Sequence, residues 1–321
     1  MNIKFQFNYL LLMCLLLSMS CDVKKSEIAS SSNSEINLNT KIDSIMALLT
    51  LEEKVMMCHA QSKFSTKGVE RLGIPEIWMS DGPHGVRAEI SWDDWAYAGW
   101  TNDSITAFPA LTCLAATFNP ELSSQFGYSL GEEARYRKKD VLLGPGVNMY
   151  RTPLNGRNFE YMGEDPFLAS TMVVPYIKGV QKNGVAACVK HYALNNQEHW
   201  RNIINVEVSD RALHEIYLPA FKAAVEEANV WAIMGAYNKY NGQFTTHHEI
   251  LTNKILKGDW NYDGVVISDW SSTHSTEEAA LNGLDLEMGT GTDGLGTTTL
   301  NHYDQYYLAS PFLEKLKSGD I

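Results

Sequence analysis

GVVISDW, residues 264–270, runs from a glycine through an apolar stretch into Ser268, Asp269 and Trp270. A short apolar run opened by Gly reads as a buried strand. A carboxylate at the end of such a strand is costly to bury, so it calls for an ion pair, a hydrogen bond or a chemical role. Alone, it reads equally well as a capping or loop residue. The arrangement recurs, however. EIWMSDGPHGVR (76–87) sets Asp81 after an apolar run, GVAACVKHYALNNQE (184–198) sets Lys190 and His191 after another, and VWAIMGAYNKYNG (230–242) sets Tyr237 and Asn238 after a third. VLLGPGVNMYRTPLNGRNFEYMGEDP (141–166) follows its strand with a loop carrying Arg157, Glu160, Glu164 and Asp165. Reactive side chains just past successive buried strands are the pattern of α/β barrels, whose sites form at the C-terminal strand ends.

Strand signals fall near 77–80, 111–118, 141–148, 184–191, 231–237, 264–268 and 284–288, and helical stretches lie between them. A first helix is expected over about 41–58, with Thr50 and Glu53 as a capping box inside it or restarting it. Asn119-Pro120 and Asp165-Pro166 each supply a cap and a first-turn proline, for helices running to about Arg137 and Gln181. The stretch 210–228 is amphipathic, and Pro219 should kink it or mark a boundary. Alternation of strand and helix points to a mainly parallel sheet, one strand short of eight. The expected fold is α/β: a TIM-type (β/α)8-like barrel, irregular or incomplete.

The 321 residues are 45% hydrophobic, enough for a real core, and the net charge of −12 excludes a basic stripe of the kind that binds nucleic acid. Eight Trp and fifteen Tyr offer faces that stack on sugar rings, although core and loop filling explains aromatics equally well. Residues 1–20 read as a signal peptide: Lys4 is followed by an apolar run from Tyr9 to Leu17, too short to span a bilayer. Ser18 and Ser20 before Cys21 resemble a relaxed bacterial lipoprotein cleavage site, which makes Cys21 the expected lipidated residue; the alternative is an ordinary signal peptide. Residues 21–40 are Ser- and Asn-rich, as a flexible tether is. Beyond it, Cys58, Cys113 and Cys188 read as small buried hydrophobes. His191 with His199, and His247-His248, lack a metal-ligand spacing; neither metal nor cofactor is expected.

Taken together, SDGPHGVR (80–87), GRNFEYMGEDP (156–166), KHYALNNQE (190–198), SDRALHEIYLPAF (209–221), MGAYNKYNG (234–242) and VISDW (266–270) resemble glycoside hydrolase family 3, its β-glucosidase-like branch. The resemblance covers 41–321 and implies roles residue by residue. Asp269 is the implied nucleophile of a retaining mechanism. Asp81, Arg87, Arg157, Lys190 and His191 are implied to grip the sugar, with Tyr237 beside the nucleophile and Trp270 toward the leaving group. Retaining hydrolysis needs one carboxylate as nucleophile and a second carboxyl as acid and base. Lys190 and Arg157 are expected to keep Asp269 ionised.

Each residue has a plainer reading: Asp81 as a turn-former, Lys190 and His191 as an ordinary strand-end pair, Arg157 as a loop brace to Glu160 or Asp165. Asp81, where xylosidase-like relatives tend to carry Glu, and KHYALNNQE in place of KHFPGHG favour a β-D-glucoside or glucosyl oligosaccharide as substrate. In the branch this chain resembles, an α/β sandwich domain follows the barrel and supplies the acid/base; that domain is expected to be absent from these residues. The expected setting is an exported bacterial protein, periplasmic or attached to the outer membrane as a lipoprotein, touching membrane only through Cys21. Alternatives are a lectin-like barrel that binds sugar without turnover, an exo-glycosidase of other specificity such as a β-xylosidase, or a barrel lyase or aldolase using Lys190.

Overall fold

Most of the apolar runs become strands. The computed structural model describes residues 38–100, 103–289 and 302–321, so the expected signal peptide, Cys21 and the tether up to 37 lie outside the described residues. Chain contacts divide the protein into a unit ending at Thr50 and a second, Leu51–Ile321. In the first, a helix covers 38–48, beginning inside the stretch read as tether. It breaks at 49–50 and a new helix starts at Leu51, in keeping with a restart there.

The second unit carries strands β1 (Ser65–Thr66), β2 (Ile77–Asp81), β3 (Val141–Leu143), β4 (Ala186–Tyr192), β5 (Asn205–Val206), β6 (Ala232–Gly235), β7 (Lys239–Tyr240), β8 (Gln243–Phe244) and β9 (Val265–Ile267). The main sheet is six-stranded, in the order β1-β2-β3-β4-β6-β9, parallel from β2 to β9. Strand order follows chain order, and each crossover carries helix: Pro120–Tyr136, Pro166–Gln181, Pro219–Glu226 and Glu249–Asp259 in turn. That is the winding of a TIM-like barrel, in which the sheet never reverses.

Closure is irregular. Leu286 pairs with Ile267 of β9, Glu287 pairs with His59, and Ala60 pairs antiparallel with Thr66 of β1. β1 then pairs antiparallel with β2, so the hydrogen-bonded ring returns to its start through single-residue bridges. The 284–288 strand signal thus survives as a bridge segment.

One expected strand does not form. Residues 111–118 contain the helix Leu111–Ala115, with Leu111, Leu114 and Ala115 buried. Those three recur at helical spacing, and Leu and Ala are strong helix formers. The same helical turn places Cys113 on the exposed side, against the expectation of burial; Cys188 is buried and Cys58 half-buried.

The caps perform as read. Asn119 accepts from the Leu122 amide (3.0 Å), and Asp165 from the amides of Phe167 and Leu168. Pro219 ends one helical segment and opens the next. Helices Pro120–Tyr136 and Pro166–Gln181 meet backbone to backbone at Gly127, where an added Cβ would lie 2.1 Å from the Tyr176 carbonyl oxygen.

Strand alternation sorts the core into two layers. Leu142, Ala187, Val189, Ile233 and Val266 face the helices, whereas Met79, Leu143, Cys188, Met234 and Ile267 form a separate inner cluster. Side chains two residues further along share a face. Asp81 follows Met79, Lys190 follows Cys188 and Asp269 follows Ile267, so all three rise from the inner layer at the C-terminal end.

Candidate active site

One cavity of about 420 Å³ gathers Asp81, Arg87, Arg157, Lys190, His191, Tyr237, Asp269 and Trp270. Every site residue singled out from the sequence lines it. Arg201, Asn202, Phe64 and Trp95 line it too, and the sequence reading missed these. Arg201 and Asn202 follow β4 in a loop, with no strand-end signal to mark them.

Asp269 is 7% exposed, and its two oxygens differ. Oδ1 accepts from the Tyr237 hydroxyl (2.9 Å) and the Trp270 amide (2.8 Å). Oδ2 is buried without a hydrogen-bond partner. Its nearest polar neighbour is His191 Nε2 at 3.4 Å. That nitrogen lies 2.9 Å from Arg157 Nη2, a permanent donor, so it accepts there and carries no proton for Asp269. His191 Nδ1, 3.3 Å from the Tyr161 hydroxyl, holds the ring proton, while Asn148 clamps the His191 backbone on both its amide and carbonyl. Burial, then Arg157, Lys190 and Arg201, holds His191 well below its ordinary range, hence neutral.

Burial pushes Asp269 above its ordinary value, and Arg157, Lys190, Tyr237 and the Trp270 amide only partly reverse this. The expectation that the two cations hold it low is therefore met only in part, because desolvation of a carboxylate outweighs them. Asp81 behaves differently. Burial would raise it, but Lys190 Nζ at 2.8 Å, with Arg87 and Arg157 nearby, brings it below its ordinary value. Lys190, itself opposed by burial, is held protonated by Asp81 and Glu160. Tyr237 is pushed far up by burial and Asp269, so it remains a donor, and the Arg201 guanidinium lies 4.0 Å from its ring centroid.

Arg157 is both brace and lining residue. Its Nε donates to Glu160 (2.6 Å), the loop pairing foreseen as the plainer reading, while Nη1 is buried without a hydrogen bond. Glu198 pairs with Arg201. Among the described residues, no cluster of His, Cys, Asp or Glu suits a metal ion.

A ring of cations and acceptors around one buried, unpartnered carboxylate oxygen can hold a polyhydroxylated ligand and present a nucleophile to it. Known proteins carry the same features of sequence and fold. The profile of the glycosyl hydrolase family 3 N terminal domain matches residues 19–288. Beta-glucosidase BoGH3A of Bacteroides ovatus is 66% identical over 284 residues, which cover 88% of this chain and 38% of that protein. Thermostable beta-glucosidase B of Acetivibrio thermocellus is 45% identical over 250 residues, 78% of this chain and 33% of that one. The solved structure of beta-glucosidase 3B from Thermotoga neapolitana in complex with alpha-D-glucose superposes with a TM-score of 0.78 at 37% identity, covering 88% of this chain and 40% of that one. The chain thus spans about two-fifths of the length of these relatives.

Proposed function

Because the chain belongs to glycosyl hydrolase family 3, we propose that it carries the nucleophile half of a retaining site for terminal, non-reducing β-D-glucosyl residues. The observation that carries this reading is Asp269 Oδ2, buried, unpartnered and facing the cavity. In this reading, Asp81, Lys190 and the free Arg157 Nη1 bind sugar hydroxyls, and Arg87 closes the ring. Oδ2 attacks the anomeric carbon, the bond to the leaving oxygen breaks with its electron pair, and a glycosyl ester forms on Asp269. Water then releases the sugar with net retention. The hydrogen bonds on Oδ1 fix the carboxylate plane, so Oδ2 reaches the carbon without reorganisation.

The acid/base is assigned to none of the carboxyls described here, since Asp81, Glu160 and Glu198 are each engaged by a cation. The reading takes it from polypeptide beyond these residues. Export through residues 1–20 and lipid attachment at Cys21 belong to the same proposal, and motivate radiolabelled palmitate incorporation as their check.

The deciding measurement is intact mass after exposure to a dinitrophenyl 2-deoxy-2-fluoro-β-glucoside. One fluoroglucosyl adduct on the native chain, none on Asp269→Ala, is the expected result. An adduct at another residue, or none on a folded chain, removes Asp269 from the role.

A further inference from the structure

The polar residues account for one side of the catalytic cavity; the other side is aromatic, and nothing in the proposed chemistry uses it. Phe64 packs on Trp270, with ring centroids 5.1 Å apart, and edge-on against Trp95 at 5.9 Å. Phe64 and Trp270 are buried, but Trp95 is 39% exposed. Trp95 sits at the turn of a small hairpin, closed by the Ile90–Tyr97 bridge and by hydrogen bonds from Ser91 to Ala96 and from Ala98 to Glu89. The tip, WDDW (92–95), carries two tryptophans with different outlooks. Trp95 lines the catalytic cavity. Trp92 lines a neighbouring cavity of about 590 Å³, with Trp78 and Trp100. Phe64 and Arg87 line both.

The hairpin is fastened to the catalytic strand end through one backbone unit. Lys63 N–H donates to the Trp92 carbonyl (3.0 Å), and Trp270 Nε1–H donates to the Lys63 carbonyl (2.9 Å). Arg87 is held by its amide on the Asp81 carbonyl (2.9 Å), and its guanidinium lies 5.3 Å from the Trp95 centroid. Indole left half-exposed on a pinned scaffold, beside a buried reacting centre, is unburied apolar area waiting for a partner.

From this, and resting on the reading of Asp269 as nucleophile, we propose that the Trp95 face, with Phe64 and Trp270, is the binding site for an aromatic leaving group, whose far end extends toward the Trp92 cavity. A second sugar suits the wall less well. A sugar needs polar partners for its hydroxyls, and those of the neighbouring cavity are engaged with one another: Lys139 with Glu89 at 2.6 Å, and Arg137 with Asp103.

Calorimetric titration of the full chain with three non-hydrolysable ligands tests this: methyl 1-thio-β-glucoside, 2-naphthyl 1-thio-β-glucoside and thiocellobiose. On the native chain the naphthyl ligand should bind about tenfold more tightly than the methyl one, the upper range for one aromatic contact. Trp95→Ala should reduce that ratio to about twofold. Tyr97→Ala, on the same hairpin but lining neither cavity, should leave it unchanged. An undiminished ratio in Trp95→Ala, no preference in the native chain, or a gain for thiocellobiose alone would each overturn the proposal. Naphthyl binding that depends on Trp95 without any methyl thioglucoside binding would sink the glucosyl reading and leave the aromatic site standing. If none of the three binds, both fall.

Discussion

Replacing Tyr237 with Phe removes one oxygen and nothing else from the cavity wall. That oxygen donates to Asp269 Oδ1 at 2.9 Å, leaving the Trp270 amide as the remaining donor on the carboxylate. A hydrogen bond to a charged group contributes about 1.5–3 kcal/mol. The Asp269 side chain is 10% exposed, so solvent cannot replace the lost donor. At 1.36 kcal/mol per pH unit, Tyr237→Phe should move the Asp269 titration up by about one to two units. The direction is fixed, because the hydroxyl stabilises only the ionised form.

Side-chain carboxyl carbon-13 spectra across pH, with Asp269→Asn to assign the resonance, read this directly. Stability supplies a linked check. A carboxyl whose folded pKa is raised penalises the folded state once ionised, and the penalty fades as pH falls through that pKa. Tyr237→Phe should therefore be destabilised above the new midpoint and recover most of the loss below it. A midpoint that stays put or moves down would refute the assignment of Oδ1 as the supported oxygen.

Three further outcomes follow from the geometry. The Lys190 side chain is 3% exposed and that of Asp81 41%, so Asp81→Asn, which strands a buried ammonium, should cost up to about 3 kcal/mol. Lys190→Met, which leaves a carboxylate in reach of water, should cost only about 1 kcal/mol, and urea midpoints in the opposite order would contradict the burial argument. Gly127→Ala should gain about 1 kcal/mol of helix propensity, lose more to the 2.1 Å clash with Tyr176, and emerge about 1–2 kcal/mol less stable; a stabilised variant would mean the helices can part. Burial pulls His247 down from 6.5 to about 4, so its contribution is present above pH 6.5 and is lost as pH falls toward 4, about 2 kcal/mol of it between pH 7 and 5. His247→Gln should shrink the measured pH 7-to-5 loss by that amount, and an unchanged loss would place the titration elsewhere.

The site was legible because its residues obey a local rule: each lies just past, or at the end of, an apolar run on the barrel's inner face. Asp81, Lys190 and Asp269 could be found from period-two alternation alone. Arg201 could not, because it reaches Tyr237 from an irregular loop whose path depends on contacts far away in sequence. The 111–118 run misled for a related reason. An apolar stretch of that length suits strand or helix equally, and only its packing, with Leu111 and Leu114 on one side, decided. Nor could composition reveal that burial would outweigh two cations at Asp269, since desolvation depends on the walls around the group. The hairpin at 89–98 was invisible too: its register rests on two backbone pairings and a fastening to Lys63.

The barrel's seam has a kinetic consequence. Strands β2 to β9 pair with neighbours next in chain order, so these contacts form over short loops. The seam joins His59 to Glu287, across nearly the whole second unit, and it does so through single-residue bridges. Closing that loop carries the largest entropy of any pairing in the sheet and gains the fewest hydrogen bonds in return. The ring should therefore be zipped last during folding and unzip first under load. In native-state hydrogen exchange, the amides of Ala60 and Glu287 should open well before those of Val189 and Ile233, although all four are buried equally deep.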